Sequence, residues 1–354
     1  MELKVAINTS NYPLLNASLL CNSANIKHLL QQKLFAVMGL PGIGIVTADL
    51  PGDLELTPET IPLHRLSDNT CLIYRCAIAL QLSPLWQLPA SDIANQLVAS
   101  FPTISQYTAG QIYLEFSVEV VFPGWINFRL SEQSLATWLQ QLIQIPPLQS
   151  NRVDYPSLQV PTRGEVGNQS FSKEGRNLDN RSSHGLDIAH QAQLDHTLKD
   201  LPNLFPVQYA HARCCSLLRL AHRQGLIQLS DLDFNTPNGQ LLQPNPIPWL
   251  NDDQGAHTGQ IRLRLVHPAE RRLIAQILDV SDIISDPGQL SCLKLAIALS
   301  NAFESFYSSC RIWGEVKTQT PKLAQARLGL VAITQGLLRS LLQEKLGVPA
   351  PVEL

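Results

Sequence analysis

Seven residues in this chain combine side-chain type and spacing in a way that could hold a charged, flat-ringed polymer. Arg213, Arg219 and Arg223 recur within one stretch, and Arg271 and Arg272 stand side by side further on. A guanidinium is planar, always charged, and offers donors in a fork that fits phosphate oxygens. Tyr209 and Trp249 supply rings on which an unpaired base can stack. Each of these residues has an ordinary alternative as part of a solvated protein surface. Catalytic layouts are missing from the string: there is no His-Glu-x-x-His, Cys-x-x-Cys, Gly-x-Ser-x-Gly or Walker loop. The Gly/Pro turn GLPGIG at 39–44 lacks the Lys-Ser or Lys-Thr of a phosphate loop. No catalytic residue, cofactor or metal site is therefore expected.

The elements that must position these residues are helices. From Phe205 to Gly225, Val207, Ala210, His211, Cys214, Leu217, Leu218 and Ala221 share one face, leaving Tyr209, Arg213, Ser216 and Arg223 nearer the outside. His211 falls on the apolar face and is expected as a core histidine. Cys214 and Cys215, adjacent on a helix, cannot converge on one metal and are expected to pack. Pro268–Val280 reads as a second helix, with Leu273, Ile274, Ile277 and Leu278 inward and Glu270, Arg271 and Arg272 outward. Gln289 onward gives a third, with Leu295, Leu299, Ala302, Phe303, Phe306, Tyr307 and Cys310 on one stripe. After a break at 315–320, Thr320 as N-cap and Pro321 at the first position open a fourth. Its stripe is Leu323, Ala326, Leu330, Ile333, Leu337 and Leu341, stopped at Gly347. Trp249 lies in a Pro- and Asn-rich stretch, 226–262, that reads as a long loop.

The first part of the chain has a different rhythm. Residues 24–38 and Asp92–Phe101 are helical in pattern, and 69–82, with Tyr74 and Arg75, also looks helical. Ile112–Phe122 alternates as a strand should, PGWINFRLS (123–131) turns into a second strand, and Leu135–Ile145 closes as a helix. Helices on one face of a small antiparallel sheet make an α+β domain over residues 1–145. Residues 146–200 are rich in Ser, Asn, Gly, Pro and Arg without period and read as a flexible polar linker, with a short helix recovering at 188–201. Residues 201–354 then form an all-α helical bundle.

At 354 residues and 45% hydrophobic content, the chain can build two cores. No apolar run is long enough to span a membrane. The N-terminus has no secretory pattern, and the seven cysteines, odd in number and scattered, suit a reducing cytoplasm. The net charge of −3 is uneven: six Lys/Arg stand against ten Asp/Glu in residues 1–145, six against seven in 146–200, and fourteen against twelve in 201–354. A polyanion would prefer the last region.

Three strings in that region, VQYAHAR (207–213), AFESFYSSCRIWG (302–314) and ARLGLVAITQGLLRSLL (326–342), together with LGVPAP (346–351), resemble the C-terminal anticodon-binding, or DALR, domain of arginyl-tRNA synthetases. From about residue 60, the first region is similar to that family's additional N-terminal domain, whose Pro-Gly-Phe-Ile-Asn-Phe signature stands here as Pro123, Gly124, Trp125, Ile126, Asn127 and Phe128. The resemblance implies tRNA as partner, with Asn127 near a second tRNA contact and Phe306, Tyr307 and Arg311 as further bundle positions; Phe306 and Tyr307 are also expected to serve the core. Alternatively, Asn127 only satisfies backbone in a sheet turn.

The family's catalytic signatures, a His-x-Gly-His string and a Lys-Met-Ser-Lys-Ser-like loop, do not occur. The nearest string is His257-Thr258-Gly259-Gln260. Only residues 132–204 separate the two regions of resemblance, too few for a doubly wound sheet at about 30 residues per βαβ unit. The reading is a tRNA-binding paralogue without its own aminoacylation site, its two modules joined by a tether. Two other readings stand beside it: a protein-interaction or assembly subunit that reuses the bundle without RNA, and an accessory factor acting in trans with a complete arginine–tRNA ligase. Neither a membrane nor DNA is expected as a partner.

Overall fold

Alternating apolar and polar side chains in two strands, joined by a more continuously buried third, build an antiparallel sheet whose buried face carries Tyr74, Cys76, Leu114, Phe116, Val118, Ile126, Phe128 and Leu130. The computed structural model describes residues 2–8, 25–39, 56–66, 72–101, 111–144, 204–230, 240–251, 261–284 and 289–354. The polar stretch 146–200, the helix expected at 188–201, and all but the first residue of the Gly/Pro turn at 39–44 lie outside them.

The N-terminal region runs β1 (Glu2–Asn8), α1 (Ile26–Met38), β2 (Leu63–Arg65), β3 (Ile73–Cys76), α2 (Ile78–Trp86), α3 (Ala90–Ser100), β4 (Gln111–Val121), β5 (Trp125–Leu130) and α4 (Glu132–Gln144). Its five strands lie in the order β1-β4-β5-β3-β2, every pair antiparallel. This is the expected α+β arrangement with a larger sheet. The helix expected over 69–82 is corrected: Tyr74 and Arg75 lie on β3, and the helix begins only at Ile78. Cross-strand packing of Tyr74 beside Phe128 outweighs the apolar run that looked helical.

The Pro-Gly turn of PGWINF is set by a close approach. A Cβ on Gly124 would lie 2.6 Å from the Ala90 Cβ and 2.8 Å from the Ala90 carbonyl carbon, so the start of α3 can rest on the β4–β5 turn only because this residue has no side chain.

The C-terminal region is a bundle of α5 (Phe205–Arg223), α6 (Pro268–Ile283), α7 (Gln289–Ser309), α8 (Glu315–Gln319) and α9 (Pro321–Ser340), with a π-helical turn at Leu341–Lys345. Gly225 (φ 71°) and Gly347 (φ 65°) end helices by entering the left-handed region, as expected. Two details differ from expectation. The break at 315–320 contains α8, and the Thr320 hydroxyl donates back to the Val316 carbonyl instead of capping α9. The single stripe on α9 is also too narrow: Ala326 through Val331 are all buried. This helix packs against α5, α6, α7 and α4 at once, which makes it the bundle's axis.

The stretch 226–262 is more ordered than a loop where it is described. β6 (Gln228–Leu229) and β7 (Leu241–Gln243) pair, Leu250 bridges to Leu263, and Ile247, Trp249, Leu263 and Leu265 are buried.

The two regions form one compact unit. Arg65 grips Asp279 with Nε to Oδ1 at 2.8 Å and a terminal nitrogen to Oδ2 at 2.7 Å. The Tyr74 hydroxyl donates to Asp282 Oδ2 at 2.6 Å, the Lys27 amide to its Oδ1 at 3.0 Å, and Asn25 to its carbonyl at 3.0 Å. Glu132 meets Arg271 at 2.7 Å, and Gln140 accepts from the Ile247 amide and the Trp249 indole. These side-chain contacts join the two regions directly, whatever residues 146–200 do.

Candidate nucleic-acid interface

The residues singled out by type separate into those that face solvent and those already engaged. On α5, Tyr209 is 44% exposed and stacks on Phe205, 55% exposed, with centroids 6.3 Å apart and an interplanar angle of 26°. One turn on, the Arg213 guanidinium lies over the Tyr307 ring, 4.8 Å from its centroid, and donates to the Tyr307 hydroxyl. Arg213 Nε is buried without a hydrogen-bond partner. Tyr307 stacks in turn against Phe303, which, like Phe306, is core. Arg311, four residues past Tyr307, is exposed. The direct Arg213–Tyr307 contact thus links α5 to α7, with Tyr209 one helical turn before it and Arg311 just beyond it along their own segments. Cations and aromatic rings alternate here, the composition that suits phosphate and base together.

Other residues fall elsewhere. Arg223 is exposed at the end of α5, and the neighbouring Gln224 accepts from Lys317 of α8 at 2.9 Å, so a second cation joins it. Arg272 is exposed on α6. Arg219 is held by the C-terminal tail, donating to the Val352 carbonyl at 2.9 Å and meeting Glu353 at 3.1 Å. Arg271 is paired with Glu132. Trp249 is a correction: it is 3% exposed, its indole nitrogen donates to Gln140 at 3.1 Å, and its ring lies so close over Gly329 that a Cβ there would come within 2.5 Å. Such a ring has no free face for a base. Asn127 is also buried, within the sheet: Arg75 Nε donates to its Oδ1 at 2.9 Å and its amide donates to Glu119 at 3.0 Å. Arg75 in turn covers Trp125 at 5.5 Å. Asn127 therefore organises a polar row on the sheet's outer face.

His211 is fully buried, as expected. Its Nδ1–H donates to the Pro351 carbonyl at 2.8 Å, which leaves Nε2 to accept from Gln335 at 3.0 Å. Burial, ahead of the other influences, pushes its pKa down, so the ring is neutral and ties the tail and α9 to α5. Burial raises the Cys215 thiol to about 11 and Cys214 well above its usual value, consistent with packing residues. Among the described residues, no group of three or more His, Cys, Asp or Glu could hold a metal ion, and no helix is long and apolar enough to cross a membrane.

Sequence reasoning also missed two acidic groups. Glu270, expected outward, is 1% exposed: its Oε1 accepts from Arg327 Nε at 2.7 Å and its Oε2 from the His267 amide at 2.8 Å. Asp282 is buried in the seam, and burial raises its pKa to about 6 against the opposing hydrogen bonds from Tyr74 and Lys27. A Glu three residues after the His267 N-cap is a capping-box signal that could have flagged Glu270.

The bundle's class follows from comparison. Residues 207–354 match the family model of the DALR anticodon binding domain. The relatives are arginine–tRNA ligases. That of Moorella thermoacetica is 32% identical over 178 residues, 49% of this chain and 25% of that protein. The enzyme of Gloeobacter violaceus is 32% identical over 168 residues, 47% of this chain and 24% of its own length. That of Synechococcus sp. is 28% identical over 178 residues, with 49% and 25% covered. The chain thus spans about a quarter of the length of these curated relatives. No solved structure matches.

Proposed function

We propose that this chain is a cytoplasmic tRNA-binding relative of arginine–tRNA ligases with no aminoacylation site of its own. Its tRNA contact is the bundle face carrying Tyr209, Arg213, Tyr307 and Arg311, with Arg223 and Lys317 as flanking cations. The observation that carries the reading is the match of residues 207–354 to an anticodon-binding domain. The exposed Phe205–Tyr209 stack beside the Arg213–Tyr307 pair supports it. The 73 residues between Ser131 and Phe205 leave no room there for a doubly wound nucleotide-binding sheet. The PGWINF region adds a second contact to the same tRNA, held at a fixed offset by the Asp279 and Asp282 seam.

Titrating the protein with tRNA at several salt concentrations tests this. Each neutralised phosphate adds about −0.7 to −0.9 to the slope of log affinity against log salt. A slope of two or more in magnitude, lost in part in Arg311→Ala and Arg223→Ala, is the expected result. No binding at low salt, or a flat slope, moves the reading to a protein-interaction subunit, which the pairing of Arg219 and Arg271 and the near-neutral charge favour. Action in trans with a complete arginine–tRNA ligase is checked by adding the protein to an aminoacylation assay. Unchanged rate and unchanged tRNA affinity rule that role out.

A further inference from the structure

Glu270 and Arg327 form a buried ion pair on α6 and α9, with side chains 1% and 11% exposed. Such a pair is an unfavourable way to hold two helices: both charges must be desolvated, and apolar residues of similar size often do as well. What distinguishes this pair is where its remaining bonds go. Arg327 uses its second arm to donate to the Arg311 carbonyl, in the turn that follows α7. Glu270 uses its second oxygen to accept the His267 amide, and His267 Nδ1 lies 3.4 Å from the Cys310 Sγ. The 310–314 turn is thereby fastened from two helices, by the buried Arg327 of α9 and by His267, the exposed N-cap of α6.

Within that turn, Cys310 and Ile312 are buried and Arg311 faces out between them, followed by half-buried Trp313 and by Gly314 at φ 69°. The last carbonyls of a helix have no partners inside it. Arg327 supplies one just past the end of α7, at the residue whose side chain is exposed.

We propose that Glu270 and Arg327 are positioning residues for RNA binding. By fixing the Arg311 backbone, they hold the exposed Arg311 guanidinium in one orientation, ready for a phosphate. The inference rests on the tRNA-binding reading for its ligand, but the mechanical part, a turn locked by a buried charge pair, is independent of it. Glu270 is the shared anchor: it orients Arg327, and Arg327 orients the turn.

The test is a cycle of variants in the full chain, with bulk tRNA as the probe and amide hydrogen exchange as a second readout. Arg327→Lys keeps the charge but gives up the two-armed geometry; Glu270→Gln keeps shape and loses the charge. Arg311→Ala is expected to weaken binding about five- to tenfold and reduce the salt slope by about one. Arg327→Lys should lose most of the same factor and the same slope. The Arg327→Lys/Arg311→Ala double variant should bind no more weakly than Arg311→Ala alone.

Arg327→Lys binding like the wild type, or a loss that adds in full to that of Arg311→Ala, overturns the proposal. Exchange should speed up selectively at residues 311–314 in Arg327→Lys. A uniform rise across the bundle would mean that the pair serves stability alone, and overturns it. If Glu270→Gln does not fold, Arg327→Lys decides. A wild-type protein that binds no tRNA defeats the RNA reading, and exchange then decides the lock separately.

Discussion

The sheet-bearing region and the helical bundle treat their charges in opposite ways. In the sheet, Arg75, Asn127 and Glu119 sit in register across β3, β5 and β4 on the outer face, while the inner face is apolar. In the bundle, Glu270 and Arg327 lie between α6 and α9, and at the far end of α6 Asp279 and Asp282 take up Arg65, Tyr74 and Lys27 from the other region. The two-residue period of β4 offers one wet face, where Ser117 and Glu119 are exposed, so a charge there keeps its water. A central helix enclosed along Ala326–Val331 has no wet face there, and any charge it carries in that stretch must bring its partner with it. The bundle should therefore be the region where single charge changes cost most.

Breaking the buried pair tests that most severely. Glu270→Ala leaves Arg327 buried without its carboxylate and should cost about 3–5 kcal/mol in a urea melt. Glu119→Ala, which breaks a partly exposed link on the sheet, should cost under about 1 kcal/mol. Similar losses from the two would erase the contrast.

The seam is next. The Asp282 carboxyl is raised from 3.8 to about 6, first by burial, so the folded state holds its proton more tightly than the unfolded chain. Its contribution is present below about pH 4 and is lost as pH rises through about 6, on the order of 3 kcal/mol across that window at about 1.4 kcal/mol per unit. The difference between wild-type and Asp282→Asn stability should shift in that direction between pH 4 and 7. A difference independent of pH would mean that Tyr74 and Lys27 hold the carboxylate ionised throughout.

How much was legible follows the same division. The alternation from Leu114 to Val118 and in WINFRL exposed β4 and β5 because one side is dry and the other wet. The strand at Ile73–Cys76 was hidden because Leu72, Ile73, Tyr74 and Cys76 are all buried, so no period appears. On α5 the stripe through Val207, His211 and Leu218 placed Tyr209 and Arg223 outside correctly. Glu270 and Arg327 were illegible as core because residue type alone predicts solvent for both, and only their mutual contact removes that penalty. Trp249 misled for a related reason: its Pro- and Asn-rich neighbours signal a loop, whereas its burial depends on Gly329, eighty residues later in the chain. Arg219 and Arg271 looked as free as Arg223 because their partners, Glu353 and Glu132, are over a hundred residues away.

Two glycines on the bundle's own axis carry the same contrast into a single helix. Gly329 lies under Trp249, where an added Cβ would come within 2.5 Å of the ring edge; Gly336, two turns later, is exposed and has nothing within 4 Å. Both sit in the interior of α9, where alanine favours the helix by about 1 kcal/mol. At Gly329 that gain is outweighed, because the indole is held in place by Gln140 and cannot retreat freely; Gly329→Ala should lose about 1–3 kcal/mol, as overpacked sites do. At Gly336 nothing opposes the gain, and Gly336→Ala should raise stability by up to about 1 kcal/mol. Opposite signs in paired melts would show that α9 is enclosed on the side facing Trp249 and open on another. Equal signs would mean either that the Trp249 ring yields or that Gly336 has a neighbour in solution, and in both cases the picture of a helix closed around Gly329 and open at Gly336 would fail.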